Sequence, residues 1–210
     1  MELSPLYAIC DADVCLQSGW SVVEFARACL DGGATLLQVR EKAAGGRAFL
    51  ADVSAIVELA SPFGATVVVN DRADIARLGV AHGVHVGQDD LPPSAIRAIV
   101  PAPSIVGLST HTDDQVTAAL SEPIDYLAIG PMFATISEAT GYEPRGLDIV
   151  RRIAGRASAH RLPLVAIGGI TLARAPDVID AGAQSVAVIS DLLASGDPAA
   201  RVREFLRALS

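Results

Sequence analysis

Short apolar runs rich in Val, Ile and Leu recur along the chain at nearly even intervals, at residues 6–9, 36–39, 66–69, 83–86, 105–108, 126–129, 164–167 and 185–189. Each is too short for an ordinary helix and reads as a strand buried on both faces, as parallel strands are when helices cover the sheet. Between the runs lie stretches with helical spacing, such as 21–31, 47–61, 92–99, 112–120, 173–181 and 198–209. Ser21 is placed to cap the first of these, Gly32-Gly33 to end it, and Pro92-Pro93 to open another. Eight alternating strand and helix units predict an α/β fold, a compact (β/α)8 TIM barrel; a doubly wound open sheet is the alternative. No linker, low-complexity tract or short repeat divides the chain, so residues 1–210 are expected to form a single TIM-barrel domain.

Composition narrows the function. Apolar residues make up 51% and charged residues 19%, enough to build a large core. Sixteen Lys and Arg face 24 Asp and Glu, a formal charge of −8 without a basic cluster, which argues against nucleic acid or an anionic membrane as partner and leaves small anions open. The N-terminal residues show no export signal, and no apolar run reaches the length of a membrane span, so a cytoplasmic protein is expected. Cys10, Cys15 and Cys29 have no metal-binding spacing and read as reduced, packed thiols.

The informative residues follow the apolar runs. They are Arg40-Glu41-Lys42, Asn70-Asp71-Arg72, Gly87-Gln88-Asp89-Asp90, Ser109-Thr110-His111, Gly130-Pro131 with Thr135 and Ser137, Gly168-Gly169, and Ser190-Asp191. In a barrel all these turns share one rim and converge on one ligand. Arg40 and Lys42 suit phosphate oxygens, whereas Asp71 and Asp90 offer hard anionic oxygens suited to Mg2+. The competing interpretation is a ring of ion pairs with no ligand. Gly168-Gly169 lets the backbone approach an anion, and with Ser190 it resembles the phosphate site that many barrels build after their last two strands. His85 reads equally as a barrel-interior residue, while His111 is the better ligand contact. His82 and His160 belong to no constellation, and no dinucleotide, Walker or nucleophile-elbow motif is present.

The segments Gln38-Val39-Arg40-Glu41-Lys42, Val69-Asn70-Asp71-Arg72 and Gly83-Val84-His85-Val86-Gly87-Gln88-Asp89-Asp90-Leu91-Pro92 closely resemble the thiamine-phosphate synthase family. So do Gly107-Leu108-Ser109-Thr110-His111, Asp125-Tyr126-Leu127-Ala128-Ile129-Gly130-Pro131-Met132-Phe133 and Val165-Ala166-Ile167-Gly168-Gly169-Ile170, all in the family's order. The resemblance implies a barrel enzyme that joins hydroxymethylpyrimidine diphosphate to thiazole phosphate or its carboxylate, releasing diphosphate with Mg2+ present. It implies small phosphorylated substrates as partners and is compatible with a homo-oligomer. By resemblance, Arg40, Lys42 and Asn70 would hold the diphosphate and Asp71 and Asp90 the Mg2+. Gln38 and Ser109 would face the pyrimidine and the reacting region, while Thr135, Ser137, Gly169, Ile189 and Ser190 would bind the thiazole phosphate.

One departure stands out. Members of the family usually carry Thr-x-Thr-Lys after the sixth strand, and here the segment is Thr135-Ile136-Ser137-Glu138. Exchanging a phosphate-contacting cation for an acid involves energies of roughly 4 kcal/mol per unit pair at 4 Å in an effective dielectric near 20. Arg145, a few residues on, is a nearby cation that could substitute. Two alternatives follow from Glu138: a thiazole tautomerase-like enzyme without a metal, and a non-catalytic phosphate-binding barrel.

Overall fold

The computed structural model describes residues 3–135 and 141–210. Strands β1 (Leu6–Asp11), β2 (Leu36–Arg40), β3 (Thr66–Asn70), β4 (Gly83–Val86), β5 (Ile105–Thr110), β6 (Tyr126–Ile129), β7 (Leu164–Ile167) and β8 (Ser185–Val188) pair in parallel in chain order. β8 returns to β1 through Leu6↔Val186, so the sheet closes and the open-sheet alternative is excluded. Nine helices wrap it among the described residues: α1 (Ala12–Gln17), α2 (Val22–Asp31), α3 (Gly46–Ala60), α4 (Ala73–Leu78), α5 (Pro93–Ile99), α6 (Asp113–Ala119), α7 (Gly146–Ala159), α8 (Ala175–Asp180) and α9 (Pro198–Ala208). Helices α1, α4 and α7 lie outside the stretches that the helical spacing singled out. The first two are six residues long, shorter than the two turns over which a 3.6-residue period becomes visible. Helix α7 carries the period in Ile149, Val150, Ile153 and Ala157.

Side chains alternate along each strand, because successive Cβ atoms point to opposite faces of a sheet. Leu6, Ala8, Cys10, Leu37, Val39, Val67, Val69, Val84 and Val86 pack outward against the helices, together with Phe25, Phe49 and Phe205. Truncating one of those buried aromatics to Ala is expected to cost about 3–5 kcal/mol. Tyr7, Ile9, Leu36, Val68, Tyr126, Ala128, Val165 and Ala187 form a separate cluster inside the cylinder. Tyr126 fits there because Gly107 faces it. A Cβ at Gly107 would lie 2.0 Å from the Tyr126 ring, closer than atoms approach without displacement.

Local capping sets where the chain leaves the barrel. Asp11 ends β1 and accepts from the Val14 amide at 3.0 Å, starting α1. Ser21 and Glu24 form a reciprocal capping box at the start of α2, which satisfies amides that a helix start would otherwise leave unpaired. Thr112 caps α6 through Gln115. Cys10, Cys15 and Cys29 are free and buried, and burial pushes the Cys15 thiol up to about 12. Among the described residues, no helix is long and apolar enough to cross a membrane.

Candidate active site

The carboxyl ends of the strands surround a cavity of about 740 Å3. Gln38, Arg40, Lys42, Asn70, Asp71, Asp90, Ser109, Thr135, Gly169, Ile189 and Ser190 all line it, so the structure brings these residues, to which the resemblance gives binding or metal roles, to one mouth. Ser137 and Glu138 lie outside the described residues. Parallel strand order produces this convergence. β2, β3 and β4 put the charged residues on one arc of the rim, and the turns after β6, β7 and β8 put Thr135, Gly169, Ile189 and Ser190 on the other.

On the charged arc, Lys42 Nζ donates to Asp71 Oδ2 at 2.7 Å, with the lysine half exposed. Asp71 adopts a left-handed backbone (φ 61°), which Asp tolerates better than most residues, and its amide donates to the His85 carbonyl at 2.7 Å. That conformation fixes where its carboxylate leaves β3. Asp90 Oδ2 accepts from the Gly87 amide at 2.7 Å. Burial holds the Asp90 carboxyl above its ordinary value, and the neighbouring Asp71 charge pushes the same way. Two carboxylates whose charges repel are a better reception for a divalent cation than for one another.

Their oxygen chemistry fits Mg2+, which is commonly held by one or two carboxylates together with phosphate oxygens and water. Among the described residues no cluster of three or more His, Cys, Asp or Glu provides an all-protein cage. A cation held by these two carboxylates would take its remaining ligands from water or from a bound anion.

Arg40 is held by Asp11, a residue outside those singled out by the sequence. Its Nη1 donates to Asp11 Oδ2, and the two side chains are 13% and 3% exposed. The signal is present in the sequence, because Asp11 follows its apolar run by two residues, just as Asp71 does.

Deeper in, Gln38 Nε2 donates to Tyr7 Oη at 3.0 Å, and Tyr7 and Tyr126 share a hydroxyl contact at 3.0 Å. His85 Nδ1 meets Tyr126 Oη at 2.7 Å, and His85 Nε2 meets Ser109 Oγ at 2.8 Å. Burial lowers the His85 imidazole from 6.5 to about 4, so it is neutral near pH 7, and burial raises both phenols. His85 is thus a cavity-facing interior residue. Ile9, Ala128, Val165, Ile167 and Ala187 supply apolar walls that suit a flat heterocycle.

On the opposite arc, Gly169 has φ 62°, and a Cβ there would lie 2.5 Å from the Ala134 carbonyl oxygen, so only glycine allows the turns after β6 and β7 to meet so closely. His111 lines the cavity with Nδ1 2.7 Å from the Gly130 carbonyl oxygen and its ring stacked on Tyr142 at 4.2 Å between centroids. Arg145 donates through Nε and Nη2 to the His111 carbonyl, at 2.9 and 2.6 Å, and is not among the cavity-lining residues. The cation that does line this arc is Arg174, donating to the Gly169 carbonyl at 2.9 Å and lying 4.5 Å over the Phe133 ring. It stands at the start of α8, five residues beyond Gly169, too far from the apolar run for its place at the rim to be read from the sequence.

The family model described as thiamine monophosphate synthase matches residues 6–192. A thiamine-phosphate synthase of Koribacter versatilis (strain Ellin345) is 46% identical, with 100% of this chain and 97% of that protein covered. One of Methanospirillum hungatei JF-1 is 40% identical, with 95% of each covered. The solved thiamine phosphate pyrophosphorylase of Pyrococcus furiosus superposes with a TM-score of 0.86 at 31% identity, covering 97% of this chain and 94% of that one. With closed barrel, converging rim and sequence in agreement, the chain belongs to the thiamine monophosphate synthase family of transferase enzymes.

Proposed function

We propose that this chain joins an aminopyrimidine methyl diphosphate to a thiazole phosphate, or to its carboxylate with loss of CO2, giving thiamine phosphate and diphosphate with Mg2+ as the metal. The observation that carries this reading is the meeting of Arg40, Lys42, Asn70, Asp71 and Asp90 on one cavity whose far arc carries Thr135, Gly169, Ile189 and Ser190. Two anionic groups can then be held on either side of an apolar floor. A mere ring of ion pairs would need no such cavity, and the half-exposed Lys42 and the partly exposed Asp71 are open to exchange partners with an entering ligand.

Arg40, steadied by Asp11, and Lys42 place positive charge where the leaving diphosphate gains negative charge, and Asn70 adds a neutral polar contact. Asp71 and Asp90 would hold Mg2+, which when bound supplies countercharge to the diphosphate. As the methylene carbon–oxygen bond breaks, its electron pair leaves with diphosphate and the aminopyrimidine delocalises the positive charge. The thiazole nitrogen lone pair then forms the new carbon–nitrogen bond. With thiazole phosphate no proton moves in this exchange, whereas from its carboxylate the carboxyl group leaves as CO2 and the ring carbon it leaves takes a proton from water; orientation is what the far arc must supply, and no side-chain nucleophile is needed. Arg174 assists there by presenting charge to the thiazole phosphate beside Gly169.

Diphosphate release from the pyrimidine diphosphate plus thiazole phosphate, measured with and without Mg2+, tests the proposal. Release that depends on both thiazole phosphate and the metal is expected. Isomerisation of the thiazole phosphate without diphosphate release, or binding of the phosphates without turnover, would overturn it.

A further inference from the structure

We infer that Gln38, Tyr7, Tyr126, His85 and Ser109 form a hydrogen-bond relay of one polarity across the barrel interior, and that it selects a ring edge bearing an amino group beside an unprotonated nitrogen. This rests on the reading that a pyrimidine occupies the cavity.

The polarity follows from counting protons. Gln38 Nε2 donates to Tyr7 Oη, so the single Tyr7 hydroxyl proton is left for Tyr126 Oη, 3.0 Å away. Tyr126 must then donate its own proton to His85 Nδ1 at 2.7 Å. A neutral imidazole that accepts at Nδ1 carries its proton on Nε2, where it meets Ser109 Oγ at 2.8 Å. Ser109 accepts there, and its hydroxyl proton is left for the cavity that it lines. Every link is determined by the one before it, and each lies inside a barrel where an unmade hydrogen bond is costly.

The consequence is at the Gln38 end. With one Nε2 proton committed to Tyr7, the amide offers the cavity its carbonyl oxygen and its second N–H, an acceptor beside a donor. That pair complements an amino N–H beside a bare ring nitrogen. An oxo group beside a ring N–H presents the reverse pattern and needs the amide turned over. Turning it requires Tyr7, Tyr126, the His85 tautomer and Ser109 to reverse together, because no link can switch alone without stranding a buried group. The relay thus ties the Gln38 edge to the Ser109 hydroxyl on the other side of the cavity. A site built to pair with particular donors rejects a mismatched analogue strongly.

Two measurements test this. In the whole protein carrying 15N-histidine, with His85 assigned by comparison with His85→Gln, the ring is expected to be protonated on Nε2 and bare on Nδ1; the opposite tautomer overturns the relay. In the diphosphate-release assay, the wild type is expected to prefer a 4-amino- over a 4-oxopyrimidine methyl diphosphate. Tyr126→Phe, which lets the two ends rotate independently, is expected to lower that ratio of kcat/KM at least tenfold while the KM for thiazole phosphate changes less than twofold. Tyr7→Phe cuts the chain one link away and is read the same way should Tyr126→Phe fail to fold. Full retention of the ratio overturns the relay. If the wild type releases diphosphate from neither pyrimidine, the functional reading falls and the selectivity with it, while the tautomer measurement still judges the relay.

Discussion

Removing the His85 imidazole should change how this protein responds to acid. Burial brings its pKa from 6.5 to about 4, so the native state keeps the ring neutral where an unfolded chain would protonate it. Above pH 6.5 neither state binds the proton and His85 has no effect on the pH dependence. Between pH 6.5 and 4 the unfolded state takes up the proton and the native state does not, so stability falls as pH falls, by about 3 kcal/mol over that window. Below pH 4 the loss levels off. In His85→Gln, which keeps a hydrogen-bonding amide at the site, this contribution is absent. Carboxylates held low by their partners, Asp74 by Arg72 and Asp113 by Arg152, remain in both proteins and cancel in the comparison. Urea unfolding at pH 7, 6, 5 and 4.5 reads the difference: the wild-type midpoint should fall faster than that of the variant, by about 1 M across the range for a slope of 2–3 kcal/mol/M. Parallel curves would refute the claim that this ring is held neutral by burial.

Four further outcomes are expected. Asp90→Ala should abolish metal-dependent diphosphate release with an unchanged far-UV circular dichroism spectrum; unchanged activity at limiting Mg2+ would count against its role as a ligand. Glu138→Lys should raise the coupling rate or tighten diphosphate binding, and a slower variant that binds no better would show that Glu138 does not impair the site. Arg174→Ala should raise the KM for thiazole phosphate about tenfold, roughly 1.4 kcal/mol, with the pyrimidine KM unaltered and part of the loss restored by Arg174→Lys; equal effects on both substrates would remove Arg174 from the phosphate arc. Asp11→Asn, which retains an oxygen to cap α1 but withdraws the charge from Arg40, should cost about 3 kcal/mol in urea unfolding, and a loss under about 1 kcal/mol would mean that the pair is not a buried one in solution.

Much of this site was legible in one dimension because a parallel barrel puts every strand end at the same mouth. Once the apolar runs were recognised, Arg40, Asp71, Asp90 and Ser109 were placed together by rule, without knowledge of any contact. The capping residue Ser21 was equally local, since a helix start is satisfied within three residues of itself. The chain pattern also settled that the strands would be buried on both faces, because an apolar run without alternation has no side to offer water.

Tertiary structure alone decided what those residues touch. Tyr7 and Tyr126 are 119 positions apart and sit within apolar runs, where a phenol reads as core packing until a partner hydroxyl is found opposite it. Arg145 looked like the available cation by proximity in sequence, yet its guanidinium is taken up by the His111 carbonyl, while Arg174 reaches the cavity from the start of α8. Which charge faces a ligand and which serves its neighbour depends on distances of a few ångströms between separate turns. The order of residues determines which turns share the rim, but only the closure and packing of the barrel determine which side chains pair across it.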